Sequence, residues 1–355
     1  MKIISAASAF PKYYYPQDLL LTALRNYWAS ELSRPETLDR LHSRACVDGR
    51  HLAYPMEEYY KMQTFGDFNH AWMKAAEDLG SQALCRALTQ AGLAPQDIGA
   101  IFFVSVTGVC SPSIDAKLVN KMQLSPHIKR IPIFGLGCVA GAAGIARCAD
   151  YVRAFPDQVA ALVSVELCSL TLQKKDLSVA NLISSGLFGD GAAAVLVAGA
   201  NHAIPGPEVI ATRSTFYPDS EDVMGWDITE KGFQIVLSPS VPDVIREHLG
   251  QDVDAFLTDH GLTRGDIASW IMHTGGPKVL EACQDALGVG QEALQISWDC
   301  LRKTGNLSSA SVLCVLEQVM KNQPPEGAYS VLAAAGPGFC SELVLLRWGG
   351  VSQSL

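Results

Sequence analysis

Cys138 lies in the stretch IPIFGLGCVAGAAGIARC, between a short apolar run and a series of small residues. The apolar run predicts a buried strand, Gly135 and Gly137 allow a tight bend, and the small residues that follow predict a closely packed helix. Cys138 would then stand at the start of that helix. Because the first N–H groups of a helix lack backbone partners and carry partial positive charge, they favour the thiolate, which is the nucleophilic form of cysteine. A buried core cysteine is the alternative that this stretch leaves open.

An internal repeat adds a histidine near the end of a predicted strand. The segments LTQAGLAPQDIGAIFFVSVTG (88–108) and LTDHGLTRGDIASWIMHTGG (257–276) share Leu, Thr, Gly, Leu, Asp and Ile, each pair 169 positions apart. Such self-similarity indicates a duplicated chain. Each copy predicts a helix end, a glycine turn, an aspartate that caps or turns the backbone, and a buried strand. His273 lies near the end of the second-copy strand.

Asn306 follows Cys138 by 168 positions, one fewer than the spacing of the repeat. Asn306 follows Gly305 and opens NLSSASVLCVLEQVM, a second predicted helix with small residues at its start. If the halves pack about a pseudo-twofold axis, both helix starts face a shared centre near His273. Thiol, imidazole and amide are the groups that nucleophilic catalysis with a base and an oxyanion or enolate stabiliser requires. An ordinary helix N-cap is the alternative for Asn306.

Composition limits the class of protein. The chain has 355 residues, of which 48% are hydrophobic and 18% charged, so it can bury a large core. Alternating strands and helices predict α/β layers with mostly parallel sheets, and we divide the chain into halves at residues 1–200 and 201–355. A net charge of −9 without a basic run argues against nucleic acid as a partner.

The cysteine pattern and the apolar runs give two further expectations. Ten cysteines occur without CxxC pairs or zinc-like Cys/His spacing, which indicates neither a disulfide framework nor a structural metal. No apolar run approaches the roughly 18 residues of a membrane span, and the first residues lack a signal-peptide pattern. We therefore expect a soluble, cytoplasmic protein.

Five motifs in order resemble type III polyketide synthases, the chalcone synthase superfamily. They are GLGCVAGAAG, SSGLFGDGAAAVLV, IMHTGGPKVLEA, KTGNLSSASVL and AAGPGFCSELVLLRW. The likeness covers essentially residues 1–350 and is greatest to bacterial members that make alkylresorcinols or alkylpyrones. It implies the thiolase fold, which is an internally duplicated α/β/α/β/α arrangement of layers, and it implies a homodimer.

The resemblance also implies roles for residues. Cys138 matches the acyl-accepting nucleophile, His273 the HxGGP histidine and Asn306 the GN[LM]SSA asparagine, while Thr274 replaces a proline common in relatives. Phe188 matches the phenylalanine between the CoA tunnel and the reaction cavity. The other matched positions, expected to contact substrate or shape the cavity, are Phe233, Thr107, Ser111, Cys168, Thr171, Gly336, Pro337, Gly338 and Arg50. Core packing for the phenylalanines, an ordinary turn for 336–338, and a solvated surface role for Arg50 and neighbouring Arg44 remain open.

The implied reaction is iterative decarboxylative condensation. A Cys138 thiolate paired with protonated His273 accepts an acyl group from acyl-CoA, and malonyl-CoA then loses carbon dioxide and extends the chain, which closes into a pyrone or resorcinol-type ring. The resemblance implies no metal, flavin or nicotinamide cofactor. The small side chains of Thr107, Ser111 and Cys168 lead us to expect a long-chain fatty acyl-CoA starter.

Three alternatives remain open at this stage. One is a β-ketoacyl carrier-protein synthase of the third class, which condenses once. Another is a type III synthase with an aromatic or malonyl-only starter. The third, a non-enzymatic acyl-binding partner subunit, would be expected to lack the nucleophile, whereas Cys138 is present.

The position of Cys138 predicts that it becomes covalently acylated. Mass spectrometry after incubation with starter acyl-CoA should locate the acyl group on Cys138, and Cys138→Ala should abolish the label because no other thiol would be activated. Cys148→Ala, which removes a thiol from the same predicted helix, should retain the label. An acyl group on Cys148 or Cys168 would contradict the assignment.

Overall fold

The computed structural model describes residues 1–32 and 34–349. The described strands are β1 (Lys2–Ala9), β2 (Tyr13–Pro16), β3 (Gly49–Leu52), β4 (Ile98–Val104), β5 (Lys129–Ile133), β6 (Val159–Leu167), β7 (Asp190–Ala198), β8 (Glu208–Phe216), β9 (Met224–Thr229), β10 (Gly232–Leu237), β11 (Ile267–Met272), β12 (Tyr329–Gly336) and β13 (Cys340–Arg347). The described α-helices are α1 (Gln17–Tyr27), α2 (Pro35–Ser43), α3 (Met56–Lys61), α4 (Phe65–Ala91), α5 (Ile114–Met122), α6 (Ala140–Ala154), α7 (Val179–Leu187), α8 (Val241–Thr258), α9 (Pro277–Leu287), α10 (Gln295–Thr304) and α11 (Ser309–Asn322).

Nine strands form one mixed sheet in the order β11-β12-β13-β8-β1-β7-β6-β4-β5. Only β4–β5, β4–β6 and β11–β12 pair in parallel, and the other five pairs are antiparallel. The prediction of a mostly parallel sheet is therefore wrong. One physical reason is the short link between β12 and β13, residues 337–339, which suffices for a hairpin but not for the crossover that parallel neighbours need.

The predicted duplication is confirmed. In the first half β4 pairs in parallel with β6, β6 pairs antiparallel with β7, and β7 pairs antiparallel with β1. In the second half β11 pairs in parallel with β12, β12 pairs antiparallel with β13, and β13 pairs antiparallel with β8. Asp97 and Asp266 each accept a hydrogen bond from the backbone N–H three residues earlier, with N···Oδ2 distances of 2.8 Å. Gly92 and Gly261 both turn the chain with positive φ, +67° and +68°. The repeated residues therefore encode the same turn twice.

The helices form three layers around the two halves of the sheet. Helices α6 and α11 share one core with the inner faces of both halves. Helices α4 and α5 cover the outer face of the first half, and α8, α9 and α10 cover that of the second. The predicted five-layer α/β/α/β/α arrangement is confirmed. The boundary at residues 200/201 stays a prediction, since β1 and β8 pair across it.

The small residues of the Cys138 helix allow α6 and α11 to pack in close contact. A Cβ atom on Gly141 of α6 would stand 2.2 Å from the carbonyl oxygen of Ser309, the first residue of α11. On another side of α6, a Cβ atom on Gly144 would stand 2.5 Å from the Leu162 side chain of β6. This close packing brings the starts of the two helices together. No helix within residues 1–32 and 34–349 has the length and apolar character needed to cross a membrane.

We predict that Gly141→Ala destabilises the fold, because the new Cβ atom would overlap backbone that cannot rotate away. We expect a net loss of about 1–3 kcal/mol in the free energy of unfolding, since overpacking outweighs the roughly 1 kcal/mol by which alanine favours a helix. Urea denaturation measures this change. The control is Gly66→Ala in α4, where the nearest atom would be 3.6 Å away. Equal stability of the two variants would contradict the predicted overlap.

Candidate active site

Cys138 occupies the predicted position at the start of the central helix. It lies in a 3-10 turn, Gly137–Val139, that continues directly into α6. Gly135 and Gly137 have φ values of +94° and +53°, so the predicted glycine bend is present. The thiol is 7% exposed and lines a cavity of about 550 Å³, the larger of two near the site. Local sequence therefore directs the Cys138 thiol toward this cavity.

His273 lines the same cavity from the second half of the chain. It follows the last residue of β11, and its N–H donates to the carbonyl oxygen of Ala333 at 3.0 Å, which extends the pairing with β12. Its Nδ1 atom is buried and has no hydrogen-bond partner among the described residues. The backbone of His273 is thus fixed by strand pairing, while the Nδ1 atom of its ring makes no hydrogen bond to the described residues.

Asn306 reaches the cavity from the loop between α10 and α11. Its Oδ1 atom accepts hydrogen bonds from the Ser308 N–H at 2.8 Å and from the Ser311 hydroxyl at 3.3 Å. The N-cap of α11 is Ser308, so the N-cap alternative for Asn306 is wrong, and the Asn306 side chain instead orders the turn that leads into the helix. The Asn306 side chain also acts to lower the pKa of the Cys138 thiol, as a donor near the sulfur does. Asn306 therefore both orders the start of α11 and presents an amide to the thiol.

Burial is the largest electrostatic effect on the thiol and the imidazole. It raises the pKa of Cys138 to about 12, although the side chains of Ser308, whose hydroxyl oxygen accepts from the thiol at 3.7 Å, and Asn306 partly oppose the shift. It also lowers the pKa of His273 to about 4. Burial therefore favours the neutral thiol and the neutral imidazole at this cavity, and the thiolate–imidazolium pair that the resemblance implies stays a prediction. The partial charge at the helix start does not offset the loss of water around the sulfur.

Phe188 separates two cavities and lines both. The larger one holds Cys138, His273 and Asn306, and the smaller one has a volume of about 130 Å³. Two predicted cavity residues, Cys168 and Thr171, line the smaller cavity. The position of Phe188 therefore agrees with the predicted gate, while its role remains a prediction.

The two arginines considered in the sequence analysis line different cavities. Arg50 is only 4% exposed and lines the smaller cavity, so the solvated surface role is wrong for it. The exposed residues Arg44 and Lys278 line the larger cavity. Sequence analysis left Lys278 out, and its place directly after the HTGGP segment was the available signal.

Three other predicted substrate contacts lie elsewhere in the chain. Phe233 is 2% exposed and packs edge-on against Phe65 and Trp226, with ring centroids 5.7 and 5.9 Å apart, so it has the core role that was the alternative. Thr107 is buried in a hydrogen-bond network, and Ser111 is exposed on the surface. Neither cavity has these three residues in its wall. The tunnel position expected for Thr107 and Ser111 and the gating position expected for Phe233 stay predictions.

The glycine-rich turn 336–338 supports the nucleophile loop. A Cβ atom on Gly336 would lie 2.7 Å from the Val139 nitrogen, and one on Gly137 would lie 2.6 Å from the Pro337 ring. Gly338 has a φ of +141°. The residues on either side of the turn, 335 and 339, line the larger cavity. The turn thus shapes the cavity wall by fixing the loop that carries Cys138.

Glu166 is a buried acid that sequence analysis missed. Its carboxylate accepts hydrogen bonds from the Val106 N–H at 3.1 Å, the Thr107 hydroxyl at 3.0 Å and the Ser309 hydroxyl. Burial raises the pKa of Glu166 to about 7 despite these bonds, and its negative charge disfavours the Cys138 thiolate. A single acid inside the apolar strand LVSVEL was the available signal.

Family models match both halves of the chain. Residues 37–201 match "Chalcone and stilbene synthases, N-terminal domain", and residues 208–349 match the corresponding C-terminal domain. The protein therefore belongs to the chalcone and stilbene synthase family. It is a type III polyketide synthase, an enzyme that transfers acyl groups, and the alternatives of a single-condensation synthase and a non-enzymatic subunit are set aside.

Individual relatives agree with this family. A 1,3,6,8-tetrahydroxynaphthalene synthase of Streptomyces peucetius subsp. caesius is 47% identical, with 98% of this chain and 93% of the relative covered. A 3,5-dihydroxyphenylacetyl-CoA synthase of Amycolatopsis orientalis is 32% identical, with 86% and 84% covered. The crystal structure of the 1,3,6,8-tetrahydroxynaphthalene synthase of Streptomyces coelicolor A3(2), a bacterial type III polyketide synthase, superimposes with a TM-score of 0.94 at 32% identity, covering 99% of this chain and 100% of the other.

The two buried pKa values predict an unusual pH dependence for alkylation of Cys138 by iodoacetamide. Above about pH 5 the rate should be level, because His273, with a pKa of about 4, is neutral and can accept the thiol proton. In His273→Ala the rate should instead rise about tenfold per pH unit, because only the small thiolate fraction reacts. Mass spectrometry of the Cys138 peptide measures both rates.

The matched control for this profile is His202→Ala, which removes a half-buried histidine that lines neither cavity and whose ring bonds to the carbonyl oxygen of Asp157. This variant should keep the level profile. A wild-type rate that climbs tenfold per unit up to about pH 9 would show that His273 does not take the proton.

Proposed function

We propose that the protein builds a polyketide by repeated decarboxylative condensation of malonyl-CoA, with the growing chain carried on Cys138. The observation that supports this most is the convergence of Cys138, His273 and Asn306 on one cavity, with Phe188 at its boundary. A nucleophile, a base and an amide donor are the groups that acyl transfer and enolate stabilisation need.

Acyl transfer begins from the neutral pair. The Cys138 thiol passes its proton to His273 while the sulfur attacks the thioester carbonyl, so that a new carbon–sulfur bond forms. The tetrahedral intermediate then expels the CoA thiolate, which takes the proton from the imidazolium. Opposite charges in a buried cavity attract strongly, so the transient thiolate–imidazolium pair offsets part of the burial cost of each charge. Proton transfer and attack would therefore proceed together.

Decarboxylation supplies the carbon nucleophile. Malonyl-CoA loses carbon dioxide, and the electron pair of the broken carbon–carbon bond becomes an enolate whose oxygen can accept hydrogen bonds from the Asn306 amide and His273. The phenyl ring of Phe188 offers the departing carboxylate an apolar surface, which favours loss of its charge. The enolate carbon forms a bond to the acyl carbonyl carbon as the carbon–sulfur bond to Cys138 breaks, and the electron pair of that bond leaves on sulfur as a thiolate, which can attack the next thioester directly or take a proton from water. The extended chain, now on CoA, returns to Cys138 for the next cycle.

The relatives' products favour a starter without a long tail. A tetrahydroxynaphthalene has ten skeletal carbons, and a dihydroxyphenylacetyl group has eight, so both can be assembled from two-carbon units alone. The smaller cavity fits this, because its volume of about 130 Å³ resembles the roughly 150 Å³ that accommodates one benzene ring. Malonyl-CoA is therefore our preferred starter, with an aromatic product made only of malonyl carbons.

A long-chain starter, which the sequence led us to expect, is the second candidate. One observation favours it: the smaller cavity has apolar walls that include Leu20 and Leu24, and it reaches the exposed rings of Tyr27 and Tyr60. Movement of these two tyrosines would open an apolar route for an alkyl tail. Burial of each methylene group would contribute about 0.8 kcal/mol.

Binding of the CoA carrier requires cations near the cavity. CoA is polyanionic and the chain carries a net charge of −9, so local cations must attract it. Arg44 and Lys278, exposed at the larger cavity, are the cations we propose for this contact. Arg50 is too deeply buried for it. A homodimer and a cytoplasmic location stay predictions; the exposed edge of β5 is one available pairing surface.

We predict that the purified protein converts malonyl-CoA alone into an aromatic product. With uniformly carbon-13-labelled malonyl-CoA, mass spectrometry should show every product carbon labelled, because no other starter contributes. Cys138→Ala should give no product, and Cys148→Ala, with a buried thiol in the same helix, should remain active. Products that form only with long-chain acyl-CoA, and carry an unlabelled tail, would support the second candidate instead.

A further inference from the structure

The buried guanidinium of Arg50 holds the chain segment that carries Phe188. Its Nη1 atom donates to the Phe188 carbonyl oxygen at 2.7 Å, and its Nε atom donates to Gln17 Oε1 at 3.2 Å. The Gln17 amide nitrogen in turn donates to the Gly186 carbonyl oxygen at 2.8 Å. Two backbone carbonyl groups of one short segment are therefore fixed by one pair of side chains.

The same segment is joined to Asn306 through the backbone. The Asn306 N–H donates to the Leu187 carbonyl oxygen at 2.9 Å, and the Gly189 N–H donates to the Asn306 carbonyl oxygen at 3.0 Å. Phe188 and Asn306 thus form an isolated parallel bridge. A displacement of Phe188 would displace Asn306 with it.

Arg50 also contacts the other side of this bridge. Gly305 has a φ of +71°, and a Cβ atom there would lie 3.2 Å from Arg50 Cδ and 2.5 Å from the Leu187 carbonyl oxygen. The arginine stem therefore packs on the residue before Asn306 while its guanidinium bonds to Phe188. The Arg50 side chain therefore contacts both segments that the bridge joins.

A charged group is kept here despite the cost of burying it. Arg50 is 4% exposed, and burial lowers its pKa to about 10, while the negative charge of Asp190 acts in the opposite direction. The group remains protonated near neutral pH. Its hydrogen bonds are charge-assisted and directed by a planar fork, which makes them stronger and more specific than those of a neutral donor.

We propose that Arg50 is a positioning residue, which sets the Phe188 ring and the Asn306 amide in one fixed geometry for malonyl decarboxylation. The inference rests on the proposed function, because it assumes that Phe188 and Asn306 act on malonyl-CoA. It replaces the contact with CoA that the resemblance suggested for Arg50.

Decarboxylation of two substrates tests this role. Malonyl-CoA carries the CoA phosphates, whereas the malonyl thioester of N-acetylcysteamine lacks them. Arg50→Met should lower kcat about 10²-fold on both substrates, with no comparable rise in KM, because small misplacements of catalytic groups cost about that much. Arg50→Lys should recover only part of the rate, since a single ammonium cannot replace the two-sided fork. Arg153→Met, which removes an exposed arginine, is the matched control and should keep wild-type rates.

A double variant tests whether Arg50 acts through Phe188. The combined loss in Arg50→Met with Phe188→Ala should be smaller than the product of the two single losses, by about fivefold or more, because Phe188→Ala removes the ring that Arg50 positions through the backbone carbonyl oxygen. Full independence of the two losses would overturn the proposal. If Arg50→Met does not fold, Gln17→Leu breaks the same network and should lower kcat in the same direction; an unchanged kcat there would also overturn it.

The remaining outcomes separate the two proposals. A loss confined to malonyl-CoA, seen as a raised KM, would make Arg50 a phosphate-binding residue and overturn the positioning role. Full activity of Arg50→Met beside an active wild type would overturn the inference alone. A wild-type protein that does not decarboxylate malonyl-CoA would overturn the proposed function and this inference with it.

Discussion

The site depends on the close approach of two helices, α6 and α11, in the middle of the molecule. Gly141 provides the space for it, because any side chain there would overlap the backbone of Ser309. Since Cys138 lies directly before one helix and Asn306 just before the other, the contact fixes the distance between a thiol and an amide from opposite halves of the chain. The duplicated fold thus brings two similar helix starts, one from each half of the chain, to one site.

That central position also removes water from the reacting groups. The same burial that raises the pKa of the Cys138 thiol also strengthens the interaction between charges in the cavity. A neutral thiol beside a neutral imidazole avoids the cost of a standing ion pair, and proton transfer can accompany attack on the thioester. The negative charge of buried Glu166, when the carboxyl group is ionised, also disfavours the thiolate form of Cys138.

Phe188 lines two cavities, and we propose that one receives the CoA carrier and the other the acyl group. The larger one is lined by the exposed cations Arg44 and Lys278, which suit an anionic carrier, and by the buried residues Cys138, His273 and Asn306. The smaller one is mainly apolar and suits an acyl group. Arg50 lies beside the boundary and is bonded to the backbone of the residue that forms it. If the Phe188 segment is rigid, the acyl group and malonyl-CoA would occupy fixed positions during loading, decarboxylation and condensation.

Sequence by itself determined the duplicated fold, the bend before Cys138, and the Cys138, His273 and Asn306 set, because turns, helix starts and repeats are local or periodic patterns. Only tertiary structure decided the antiparallel pairs, the pKa values of the site and the places of Arg50 and Phe233. These depend on contacts between distant parts of the chain: Arg50 meets Phe188 across 138 positions. Burial, which decides whether a charge faces water or a carbonyl oxygen, is a property of such contacts and leaves no local pattern in the sequence.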